Sequence, residues 1–91
     1  MSVTVRVPTI LRTYTDGSAE VNVEVTDGAT LADVLAALEA DHTGIAARVL
    51  DDNGALRRFV NIYVGDEDVR FTDGLNTPVK AGATVSVIPA V

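Results

Sequence analysis

The chain has 91 residues, 47% of them hydrophobic and 22% charged, which suits one domain over residues 1–91 with a single core and lies far from the composition of disordered segments. Its 13 acidic and 7 basic residues give a net charge of −6, which opposes binding to nucleic acid or anionic membrane and favours basic protein surfaces. There is no cysteine, so disulfides, thiolate metal clusters and a cysteine nucleophile are excluded; the cytoplasmic setting expected for the chain is permitted, though not required, by that absence.

Met1 to Arg6 begins alternating at once, without the charged and apolar regions of a signal peptide. No apolar run reaches the roughly 18 residues of a membrane span. Val3, Val5 and Val7 against Thr4, Arg6 and Pro8 predict a first strand over residues 2–8, with Thr9 to Leu11 prolonging it. Thr15-Asp16-Gly17-Ser18 supplies turn chemistry, and Val21, Val23 and Val25 form the second strand of a hairpin. Thr30 is placed to cap a helix with Asp33 three residues on. Leu31, Val34, Leu35 and Leu38 then share one face of a helix over about 31–41.

Gly44 breaks that helix, and Ile45, Val49 and Leu50 predict a short second helical turn before the loop Asp51-Asp52-Asn53-Gly54. Phe59 to Val64 reads as a strand with Val60, Ile62 and Val64 inward and Phe59, Asn61 and Tyr63 outward. A turn at Gly65 to Asp68 leads to a short strand at Val69 to Phe71, then to an irregular crossing through Asp73-Gly74 and Pro78. After the turn Ala81-Gly82-Ala83, Val85 and Val87 alternate in a last strand. Pro89 stops it, having no N–H to give the ladder. This order predicts an α+β, β-grasp (ubiquitin-like) fold, a mixed sheet with one main helix, in which the first and last strands lie side by side in the middle and aim the C-terminus outward.

The interior offers little chemistry. His42 is the only histidine and reads as a helix-end residue favoured by the dipole. The serines lack a nucleophile-elbow setting, and Asp51-Asp52 and Asp66-Glu67-Asp68 lack the ligand spacing of a calcium loop. Neither a catalytic residue nor a metal ligand nor a bound cofactor is therefore expected. Arg57-Arg58 reads as a solvated strand entry. Phe59, Tyr63 and Ile88 are candidates for a partner-binding face beside a tail of Pro89, Ala90 and Val91.

Phe59-Val60-Asn61-Ile62-Tyr63-Val64, Asp66-Glu67-Asp68-Val69-Arg70-Phe71 and Gly82 to Val91 resemble the MoaD/ThiS family of sulfur carriers. Val5 to Arg12 and the helix Leu31 to Leu38 suit its actinobacterial CysO branch. The resemblance implies a carrier rather than an enzyme, with a Gly-Gly end expected just beyond Val91. In such carriers an activating enzyme resembling the ubiquitin-activating adenylyltransferases uses ATP to adenylate the terminal carboxylate, and a sulfur donor converts it to a thiocarboxylate. A cysteine-synthase-like or thiazole-synthase-like enzyme is the implied acceptor, and cysteine, thiamin, molybdopterin or thiolated secondary metabolites are the implied products. A different reading of the same chain is a non-covalent adaptor that works through Phe59, Tyr63 and Ile88.

Overall fold

The computed structural model describes residues 1–89; the expected tail residues Ala90 and Val91 lie outside the described residues. Five strands form one mixed sheet: β1 (Ser2–Arg6), β2 (Glu20–Glu24), β3 (Val60–Val64), β4 (Glu67–Asp68) and β5 (Thr84–Pro89), in the spatial order β2-β1-β5-β3-β4. β1 and β5 run parallel, and the other neighbouring pairs are antiparallel. Helix α1 (Leu31–Asp41) covers one face, followed by the short α2 (Ala46–Val49). This is the β-grasp, ubiquitin-like arrangement expected from the element order, with the last strand central.

The core follows the two periodicities in the sequence. Val3, Val5, Val23, Val85 and Ile62 point from the sheet to the same side, where Leu31, Val34, Leu35 and Leu38 of α1 meet them, all essentially without solvent contact. The Asp33 carboxylate accepts the Thr30 N–H at 2.9 Å, which satisfies one of the donors left over at the helix start. At the other end Glu39 accepts two further backbone N–H groups, from Gly44 at 2.8 Å and Ala46 at 2.9 Å, and so shapes the bend into α2. Gly44 there has φ +100°, and a Cβ on it would lie 3.1 Å from Cε1 of Tyr14. Glycine is required on both counts.

Two stretches differ from expectation. Thr9 to Leu11 does not prolong β1; the chain turns instead into a 3-10 helix over Thr9–Thr15. Pro8 cannot donate to a ladder, and its C=O accepts the Leu11 N–H at 2.9 Å, so the chain curls and buries Leu11. Nor is Val69–Phe71 a strand: β4 ends at Asp68, and Val69–Phe71 is 3-10 helix. The Asp68 carboxylate captures the Arg70 N–H at 2.9 Å, a local bond that outcompetes the β preference of Val69 and Phe71. Phe59 also falls just outside β3, in a turn closed by the Val60 N–H on Arg57 O at 3.2 Å.

Candidate functional site

β5 carries the chain to the rim of the sheet between β1 and the start of β3. Ile88 faces Asn61, Pro89 faces Val60, and Arg6 at the end of β1 faces Ser86. The parallel ladder breaks off there because Pro8 and Pro89 both lack an N–H where β1 and β5 would continue it. Two prolines thus set where the described pairing of β1 with β5 ends.

Of the residues expected to form a partner face, Tyr63 and Ile88 lie on the outer side of the sheet, one register step apart, with Asn61 and Ser86 between them. Ile88 is exposed and Tyr63 half-buried. Phe59 is 64% exposed but belongs to the turn before β3 rather than to the strand face. The three therefore do not make one apolar patch; the outer face between them is polar.

A different surface lies on the other flank of β5. An open groove of about 800 Å³ runs between the Thr9–Thr15 helix and the end of β5, walled by Arg6, Pro8, Ile10, Arg12, Ile88 and Pro89. Ile10 is 69% exposed, a large apolar side chain held in water beside the exit. Arg12 is fixed by its Nε donating to Val7 O at 3.1 Å, and Arg6 pairs with Glu20 at 3.5 Å across β1 and β2. On the opposite flank Arg57, Arg58 and Arg70 gather at the start of β3, the Arg70 guanidinium donating to Val60 O at 2.8 Å and to Arg58 O at 2.9 Å. A chain of net charge −6 thus sets Arg6 and Arg12 on one side of the end of β5 and Arg70 on the other, while Arg57 turns its Nε to Ala47 O at 3.0 Å.

Ile10, Arg6, Arg12 and Arg70 were not singled out from the sequence. Arg6 and Arg70 could have been, because the strand order places the end of β1 and the return from β3 beside β5. Ile10 could not, because its exposure depends on the curl after Pro8. His42 closes α1 as expected, its Nδ1 lying 3.2 Å from Tyr14 O. Among the described residues no group of three His, Cys, Asp or Glu side chains is placed to hold a metal, and no helix is long and apolar enough to cross a membrane. The geometry can present a chain end between basic and apolar walls; among these side chains no nucleophile, base and orienting group come together.

The sequence model of the ThiS family matches residues 5–91. The chain belongs to the ThiS family. It is 50% identical over 93 aligned residues to the sulfur carrier protein CysO of Mycobacterium tuberculosis, covering all of this chain and 97% of that protein. A CysO from Amycolatopsis orientalis, solved in complex with BexX, superposes with a TM-score of 0.89 at 47% identity, over 98% of this chain and 96% of its own. The small archaeal modifier protein 1 of Haloferax volcanii superposes at 0.84 with 28% identity, over 99% and 98%. The chain is a small ubiquitin-like carrier rather than an enzyme, as a member of the ThiS family 50% identical to a sulfur carrier protein.

Proposed function

We propose that the chain carries sulfur as a C-terminal thiocarboxylate and hands it to a biosynthetic enzyme. The observation that carries this reading is the central β5, whose last described residue, Pro89, lies between the Ile10 groove and the start of β3. Full-length likeness to CysO supports it.

The chemistry needs a handle and little else from the carrier. A carboxylate is a poor acyl donor, so the partner enzyme supplies ATP: the terminal carboxylate oxygen attacks the α-phosphorus, pyrophosphate leaves, and an acyl-adenylate forms. A sulfur nucleophile such as hydrosulfide then attacks the acyl carbon and displaces AMP, leaving a thiocarboxylate. The acyl group is expected on a Gly-Gly end beyond Val91, where glycine would suit a narrow tunnel because it has no side chain to clash with the walls. The acceptor is an enzyme of the cysteine-synthase or thiazole-synthase type, and the capture of the Amycolatopsis CysO by BexX supports a carrier that docks on a partner to work.

The test is to extend the reading frame three codons past Val91 and incubate the full protein with its activating enzyme, ATP and sulfide. Intact-mass spectrometry is expected to show one oxygen replaced by sulfur. A frame without Gly-Gly, or an unchanged mass, rejects the reading. Partner binding that survives removal of Pro89 to Val91 would instead favour the non-covalent adaptor.

A further inference from the structure

β3 pairs with β5 along its whole length but with β4 only at Tyr63 and Val64, so its first residues have no neighbouring strand on one edge. The Gly65 N–H donates to Thr84 O at 2.9 Å, and alternation from that pair makes Tyr63 and Asn61 the residues that exchange bonds with β5. The Val60 N–H and C=O therefore point the other way, toward the edge that β4 covers farther along. β4 stops at Asp68, so no backbone donor reaches Val60 O. Arg70 Nη2 takes that place, 2.8 Å from Val60 O, 2.9 Å from Arg58 O and 3.5 Å from Arg57 O.

We propose that Arg70 is a positioning residue for tail transfer. Its guanidinium stands in for the absent strand and straps the Arg57–Val60 turn to the sheet, which holds the exposed Phe59 next to Val60–Pro89, the last described pair of β3 with β5. The inference rests on the carrier reading above, since it concerns how a partner meets the rim while taking the tail. A planar guanidinium suits the task because one nitrogen carries two donors in a fixed fork, and Val60 O and Arg58 O receive both. Arg70 itself is solvent-exposed, so the strap acts on the turn and leaves the core untouched.

The experiment compares wild type, Arg70→Ala and Arg70→Lys as the full chain, by amide NMR and by pyrophosphate release with the activating enzyme. In Arg70→Ala the Phe59 and Val60 amide signals are expected to shift and exchange faster. KM for the carrier should rise roughly three- to tenfold, the scale of having to order a loosened segment on binding, while kcat stays within about twofold. Arg70→Lys should recover part of the KM, since an ammonium can reach the carbonyls without the fork. A folded Arg70→Ala with unmoved Phe59 signals, or with moved signals and an unchanged KM, overturns the proposal. Should Arg70→Ala fail to fold, Arg70→Lys decides, an unchanged KM again overturning it. A wild type that is not adenylated rejects the carrier reading and the transfer role together, whereas a KM response missing only in the variants rejects Arg70 alone.

Discussion

The Glu39 carboxylate accepts the Gly44 and Ala46 N–H groups, and these bonds, the Gly44 one foremost, hold its pKa below the ordinary 4.5 because they favour the charged form. A lowered pKa adds stability that is complete above the unfolded value and vanishes as pH falls through the folded one. Wild type should therefore melt above Glu39→Gln at about pH 6, and the gap should shrink as the pH falls below the ordinary 4.5 toward the lowered folded value. Parallel calorimetric melts check this; a gap that is constant across that range counts against the charge as the cause. At the groove, Ile10→Ser with Ile88→Ser is expected to weaken partner binding about fivefold or more, since both are apolar, exposed and adjacent to the exit. Calorimetric titration of the partner measures it, and equal affinity would remove the groove from the interface.

At the scale of elements, α1 and the Gly44 bend hold the sheet's covered face. Leu35 is 1% exposed among core residues, so Leu35→Ala should cost about 2–5 kcal/mol in urea unfolding. Gly44→Ala should cost about 1–2 kcal/mol from the left-handed backbone alone, with the contact to Tyr14 adding to it. Helix α1 was readable because four apolar residues at helical spacing follow a Thr30 with Asp33 three residues on, so local propensity and tertiary burial agree. Val69–Phe71 was misread because propensity and burial disagreed there: a single Asp68 carboxylate decided the backbone, and nothing in the alternation announces it. The central place of the last strand beside the first was legible in the sequence. The groove beside the end of β5 was not, because Ile10 and Arg12 come to line it only through the 3-10 curl after Pro8, where a prolonged strand was expected.

For the molecule as a whole, the covered face of the sheet supplies stability, and under the proposed function the rim supplies recognition, so changes to the two should be nearly independent. The parallel course of the first and last strands also separates the chain's two ends. The Met1 ammonium donates to Val25 O at 2.7 Å at one pole, and β5 runs out at the other, in a body 29 × 24 × 24 Å across. A fluorophore, bead or whole protein joined ahead of Met1 would hang from the pole opposite the groove, about 20 Å away by strand length. Such fusions should be converted to thiocarboxylate at the rate of the untagged chain, as timed by intact mass. The topology thus makes this carrier one that can be tethered by its beginning while its end is loaded.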